Sequence, residues 1–173
     1  MVNKSIFMDS RYSAKDVAIY VLWYCENKLN KAIDNLRLNK LLYLIQAKYL
    51  YLYNESIFLN LDERFEAWDY GPAMPKLWFE ISKIFEFRII KGFCPIDFNL
   101  FTKEEKEVIE EVLNITKNID TWDLVKYLLD TYPVMWNYKI GDSSIPTQDI
   151  KFWAKENNGI LIPKFLLEEK EVN

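Results

Sequence analysis

Histidine is absent from the 173 residues of this chain. Its absence removes the commonest general base, the Ser-His-Asp triad and most sites for transition metals. The four glycines are isolated from one another, so the chain has no glycine-rich loop that could cradle a phosphate. No serine is followed by a lysine three residues on, which excludes the Ser-x-x-Lys nucleophile motif. The sequence therefore predicts a protein that is not an enzyme and that uses no cofactor or metal.

Cysteine is scarce as well. Cys25 and Cys94 lack the spacing of a zinc site or of a disulfide framework. Only four apolar or small residues separate Lys4 from Asp9, which predicts that no signal peptide is present. The most apolar run, residues 17–25, is too short to span a membrane. These features favour the reducing cytoplasm and predict no membrane partner.

Charge is unevenly distributed along the chain, whose net charge is −4. Residues 1–53 carry eight basic and four acidic side chains, whereas residues 54–173 carry fourteen basic and twenty-two acidic ones. A basic stripe in the first third could bind nucleic acid, but an isoelectric point near 5.1 argues against it. The acidic remainder suits solubility or a basic partner protein.

Apolar and aromatic residues are abundant. Half of the residues are hydrophobic, and the chain contains 11 Tyr, 11 Phe and 6 Trp. This composition can supply a full core without a metal or a disulfide. At this length we expect one domain over residues 1–173, with its core at about residues 13–157 and an acidic C-terminal tail.

Apolar spacing and capping residues predict a mainly α fold with a small β element. Ser13 with Asp16, and Thr102 with Glu105, are patterns that begin a helix. Pro75 suits the first turn of another helix. The predicted helices cover residues 13–28, 35–53, 75–85, 103–117, 121–131 and 147–157.

The helix predicted over residues 35–53 is apolar nearly all round, so we expect it to be buried at the centre of a helical bundle. Residues 65–70 alternate in hydrophobicity as a short strand does, and Gly71-Pro72 is expected to end that strand. A second short strand is predicted over residues 87–90.

Two charged residues, Lys40 and Glu66, lie in segments that are otherwise apolar enough to be buried. A buried charge is costly unless it is paired. The sequence therefore suggests that Lys40 and Glu66 form a structural pair that holds the strand to the central helix. The alternative is that each side chain reaches water separately.

Aromatic and polar residues near the rigid Gly71-Pro72 turn form a candidate surface for a partner protein. Aromatic side chains beside a rigid turn are suited to this role because they can bury much area on binding. The alternative interpretation is that these residues are core aromatics with a satisfied polar rim. The candidate residues are Tyr43, Gln46, Trp68, Tyr70 and Pro72.

Two segments in combination, Leu38 to Gln46 and Glu66 to Pro72, resemble the SocA-like antitoxin domain, which is also called Panacea. The similarity extends over roughly residues 13–155 and includes Pro75 at the start of the next helix. One departure lies late in the fifth helix, where relatives often carry a Thr-His pair. This chain has Asp130-Thr131-Tyr132-Pro133 there, so any role of that imidazole is missing.

The resemblance implies a mostly helical protein that neutralises a cognate toxin by direct binding, without catalysis. Relatives occur in bacterial toxin–antitoxin pairs and in phage-associated proteins. At least one relative delivers its toxin to a protease, so a protease is a second partner that the resemblance implies. The alternative function is a nucleic-acid-binding or phage-associated regulator that uses the basic N-terminal third.

Overall fold

The computed structural model describes residues 13–58, 64–86, 97–131 and 143–159. The mainly α architecture with a small β element is confirmed, and each helix end lies within one residue of its predicted position. A short 3-10 turn, Phe98–Leu100, precedes the fourth helix. The elements are α1 (Ala14–Asn27), α2 (Asn35–Tyr53), β1 (Phe65–Trp68), β2 (Gly71–Ala73), α3 (Pro75–Glu86), α4 (Lys103–Thr116), α5 (Thr121–Thr131), β3 (Ser144–Ile145) and α6 (Thr147–Glu156).

The capping patterns that begin α1 and α4 are formed as the sequence predicts. The Ser13 hydroxyl accepts a hydrogen bond from Asp16 N at 3.3 Å, and Ser13 N donates to the Asp16 carboxylate at 3.1 Å. Thr102 and Glu105 make the same reciprocal pair at 3.2 Å and 2.9 Å. Each pair satisfies amide groups that a helix start leaves without a partner, which is why both helices begin where they do.

Helix α2 is the centre of the fold. It contacts the five other described helices and β2. Thirteen of its 19 residues are buried, including every position from Arg37 to Ala47. The prediction of a central buried helix is therefore confirmed, and the exposed part of α2 is its last turn, residues 51–53.

Four polar side chains of α2 are buried, and each of them has a hydrogen-bond partner in the backbone of a neighbouring segment. Asn39 Oδ1 accepts a hydrogen bond from Met74 N at 2.9 Å, which fixes the start of α3. Gln46 Oε1 accepts from Ile57 N at 3.0 Å, which fixes the chain after α2. The four residues are Arg37, Asn39, Lys40 and Gln46.

The three strands form an antiparallel sheet in the order β2-β1-β3. Trp68 pairs with Gly71, so the two residues between them make the turn of a β-hairpin. Gly71 has a φ angle of 89°, a region that glycine enters without steric cost. On the other edge, Phe65 pairs with Ile145 of β3.

The expected end of the first strand needs correction. Gly71-Pro72 does not stop the β structure, because the chain reverses at Asp69 and Tyr70 and Gly71-Pro72 then runs back as β2. The second strand predicted over residues 87–90 and the acidic C-terminal tail lie outside the described residues.

Two leucines of α2, one buried and one exposed, allow a test of the central position of this helix. Leu42 is fully buried, so Leu42→Ala should lower the free energy of unfolding by about 2–5 kcal/mol. Leu52 on the same helix is 49% exposed, and Leu52→Ala should change it by about 0.5 kcal/mol or less. Urea denaturation of the two variants measures both values. Equal losses in the two variants would contradict the burial of Leu42.

Candidate functional site

A cleft of about 610 Å³ opens where α2, the β1–β2 hairpin and α3 meet. This volume lies within the range of roughly 300–1,000 Å³ that is usual for binding sites. Most of the lining comes from the hairpin, while α2 supplies the floor and α3 one wall. The lining residues are Leu36, Lys40, Ala67, Trp68, Asp69, Tyr70, Gly71, Ala73, Trp78 and Ser143.

Aromatic side chains surround the mouth of this cleft. The rings of Trp68 and Trp78 contact each other with their centroids 5.5 Å apart. Tyr70, which is 58% exposed, meets the ring of Trp122 edge-on at 5.3 Å, and Trp122 is 57% exposed. Such tilted and edge-on contacts are favourable arrangements for aromatic rings. We call these four residues, Trp68, Tyr70, Trp78 and Trp122, the aromatic rim.

Lys40 lies at the floor of the cleft and is only 1% exposed. Its ammonium group donates a hydrogen bond to the Pro72 carbonyl at 2.8 Å. Among the described residues, no carboxylate forms an ion pair with it. Burial lowers the pKa of Lys40 to about 7, because the charged form is poorly solvated there.

The structural pair expected from the sequence is not formed. Lys40 binds the backbone carbonyl of Pro72, whereas Glu66 accepts a hydrogen bond from the indole N–H of Trp68 at 3.0 Å. The carbonyl of β2 takes the place of the expected carboxylate, so Lys40 does hold the hairpin to α2, although through the other strand. Glu66 instead fixes the orientation of Trp68.

Three of the five residues predicted for the partner surface are buried. Tyr43 is fully buried, and its ring packs edge-on against Phe65 at 5.3 Å. Gln46 is 4% exposed and binds the backbone of Ile57. Pro72 is buried within β2. None of these three residues lines the cleft, and other parts of the chain cover them, so they are not available to a partner. The other two predicted residues belong to the aromatic rim.

Sequence reasoning missed two residues of the aromatic rim, Trp78 and Trp122. Trp78 is half-buried, and the next residue of α3, Phe79, is 66% exposed. Successive positions of a helix point about 100° apart, so on a helix that is covered on one side only, two adjacent large aromatics cannot both face the core. That spacing is a signal for a surface aromatic on α3. Nothing in the sequence brings Trp122 of α5 beside Tyr70.

Cations of the basic N-terminal third hold helices together. The Arg37 guanidinium is buried and donates to the carbonyls of Thr116 and Ile119, each at 2.7 Å, which fixes the connection between α4 and α5. Burial lowers the pKa of Arg37 from its usual value. Lys48 forms an ion pair with Glu111 of α4. These contacts weigh against a continuous basic surface for nucleic acid.

The described residues show few other groups with unusual chemistry. Burial raises the pKa of the Cys25 thiol to about 11, so this thiol is protonated near neutral pH. Within the described ranges, no cluster of acidic and cysteine side chains is arranged to hold a metal ion. The described helices include none with the length and apolarity to cross a membrane.

The buried Lys40 predicts a pH dependence of stability. Its pKa is about 7 in the folded chain and about 10.4 in the unfolded chain, so the unfolded chain binds more protons between these values. The free energy of unfolding should therefore rise with pH above 7, by up to about 1.4 kcal/mol per pH unit. Below pH 7 Lys40 carries its proton in both the folded and the unfolded chain. The full cost of burying the charged group then lowers the free energy of unfolding.

Urea denaturation at pH 6.5, 7.5 and 8.5 measures this contribution. Lys40→Met should lack the rise that wild type shows, whereas Lys15→Met, at an exposed position of α1, should keep it. The series stops at pH 8.5 because ionisation of the unfolded Cys25 thiol opposes the effect at higher pH. Parallel pH profiles for wild type and Lys40→Met would show that Lys40 is not buried as described.

Comparison with known proteins gives one match. A family profile described as "Antitoxin SocA-like, Panacea domain" matches residues 38–136, which is more than half of the chain. The matched range contains Lys40 and the whole aromatic rim. No curated protein and no solved structure matched the chain. The extent of the profile match shows that this chain belongs to the SocA-like antitoxin family that carries the Panacea domain.

Proposed function

We propose that this chain neutralises a toxin protein by binding it directly through the aromatic rim, with no catalytic turnover. Membership of an antitoxin family indicates a role in a toxin–antitoxin system. The observation that carries the binding surface is the exposed pair formed by Tyr70, which lines the cleft, and Trp122, which contacts Tyr70 from α5.

The aromatic rim has the properties of an interface centre. Tyr and Trp are enriched among the residues that dominate binding energy, especially where a concave surface surrounds them. The contact between Tyr70 and Trp122 restricts both rings before any partner arrives, so less side-chain entropy is lost on binding. Trp68 is further restrained by its hydrogen bond to Glu66. A rigid, partly exposed aromatic group beside a cleft is thus available for a partner.

Other exposed aromatics do not combine in this way. Phe152 on α6 is 62% exposed, but it does not line the cleft. Tyr51 and Tyr53 occupy the last turn of α2, where each exposes less than half of its area. The aromatic rim therefore joins exposed rings to a concave surface, and Phe152 supplies a matched control.

The test uses coexpression with the product of the neighbouring open reading frame. That product should stop growth when expressed alone, and this chain should restore growth. Tyr70→Ala and Trp122→Ala should each weaken binding by about 2 kcal/mol, which is roughly a 30-fold rise in Kd. Phe152→Ala should leave the Kd unchanged. Isothermal titration calorimetry measures Kd, and circular dichroism verifies that each variant remains folded.

Two outcomes would count against the proposal in different ways. If the neighbouring product is harmless and does not bind the purified chain, direct toxin neutralisation fails. If rescue survives the combined Tyr70→Ala and Trp122→Ala substitutions, the antitoxin role stands but the aromatic rim is not the contact surface. The toxin level during rescue distinguishes binding alone, which leaves it constant, from delivery to a protease, which lowers it.

A further inference from the structure

The cleft floor holds a cation, Lys40, that forms no ion pair with a carboxylate in the described part of the chain. An ammonium group can donate three hydrogen bonds, and Lys40 uses one of them for the Pro72 carbonyl. The ion pairs seen between described residues include Lys48 with Glu111 and pairs on the exposed faces of α4 and α5, and none of them involves Lys40. Lys40 is thus a buried cation that lines an open cleft and retains unused donors.

The nearby carboxylates do not fill this role. The Glu66 carboxylate accepts the hydrogen bond of the Trp68 indole. Asp69 belongs to the hairpin turn and lines the cleft, yet it makes no ion pair with Lys40. Because the fold has already removed Lys40 from water, an incoming anion need not bear the cost of desolvating that cation.

We propose that Lys40 receives a single carboxylate from the toxin, namely an Asp or Glu side chain whose apolar neighbour rests on Trp68 and Trp78. This inference rests on the proposed function and names the chemistry by which the partner is recognised. One cation in the cleft matches one negative charge. A phosphate group near neutral pH carries more negative charge than Lys40 can balance, so a singly charged carboxylate is the better match.

Pairing with a carboxylate has a consequence for protons. Burial holds the pKa of Lys40 near 7 in the free chain, and a carboxylate in contact with it raises that pKa. Above pH 7 the free chain is partly deprotonated at Lys40, so binding must take up a proton. Affinity should therefore fall as pH rises, by up to about tenfold per pH unit.

Among the described residues, few other ionisable groups line the cleft around Lys40. The hairpin turn contributes Asp69 and Tyr70 to the cleft, and Glu66 of β1 lies beside Trp68. The lining residues from α3 and from the segment before β3 are Trp78 and Ser143, which carry no charge. Burial is the cause of the lowered pKa of Lys40, with no contribution from a neighbouring charge. Loss of the proton uptake in Lys40→Arg would assign a proton taken up near pH 7 to 8 to Lys40.

The first experiment needs no toxin. Chain labelled with ¹³C-lysine is titrated with 3-phenylpropionate and, as the neutral control, 3-phenylpropanamide, while NMR follows the Lys40 Cε resonance across pH 6–9. Lys40→Arg identifies that resonance by its loss. A saturating carboxylate should raise the pKa of Lys40 above about 8, and the amide should not. If neither compound alters the pKa of Lys40, the carboxylate site is refuted whatever the toxin does.

The second experiment uses the purified product of the neighbouring open reading frame. Calorimetry at pH 6.5 and 8.5, in two buffers with different ionisation enthalpies, gives both the Kd and the number of protons that are taken up when the complex forms. At pH 8.5, wild type and Lys15→Met should bind at least about tenfold more weakly than at pH 6.5. At this higher pH each should take up close to one proton on binding. Lys40→Arg stays charged at both pH values, so its Kd should not change between them. Lys40→Met should bind more weakly than wild type at pH 6.5.

The outcomes separate this inference from the antitoxin proposal. If the toxin binds wild type with no pH dependence and no proton uptake, the role of Lys40 is overturned while toxin binding stands. If the neighbouring product does not bind but 3-phenylpropionate still raises the pKa of Lys40, the proposed partner is wrong and the cleft takes a free carboxylate.

Discussion

Four polar side chains on one buried helix hold the surrounding backbone in place. Arg37, Asn39, Lys40 and Gln46 project from α2 and are each at most 4% exposed. Their partners are backbone groups of irregular or short segments: the α4–α5 connection, the start of α3, strand β2 and the chain after α2. Buried backbone groups outside regular structure need such partners, and here a single rigid element supplies them.

This arrangement explains why the cleft lies where it does. The β1–β2 hairpin has only four and three residues in its strands, which is too short to be stable alone in water. Lys40 holds β2 through its carbonyl, and Asn39 holds the next residues at Met74. The hairpin is thus fixed against α2 at two neighbouring points. The space between those two points and α3 is the cleft. The Lys40 ammonium group lies at this cleft because it also binds the backbone of β2.

Sequence reasoning located the helices well because their signals are local. Capping residues such as Ser13 and Thr102 act on amide groups within one turn, and Pro75 acts at its own position. The partners of Lys40 and Gln46 could not be found in this way, since they are main-chain atoms that any sequence carries. The all-round apolar character of α2 correctly predicted its burial. The same feature implies that Tyr43 and Gln46 face inward, which is where the structure places them.

The aromatic rim was predicted only in part for a related reason. Trp68 and Tyr70 adjoin a recognisable turn, whereas Trp122 reaches Tyr70 only through the packing of α5 beside the hairpin. Contacts between distant segments depend on register and helix orientation, which periodicity does not specify.

Apart from Lys40, which lines the cleft, the side chains that hold the backbone in place and the exposed aromatic side chains are different sets. Arg37, Asn39, Lys40 and Gln46 point inward from α2, while Tyr70 and Trp122 project from a turn and from a separate helix. Replacing the outward residues leaves every inward hydrogen bond intact. The surface can therefore be rewritten, by mutation in nature or in the laboratory, without refolding the scaffold beneath it. A protein built in this way can follow a changing partner at little risk to its own stability.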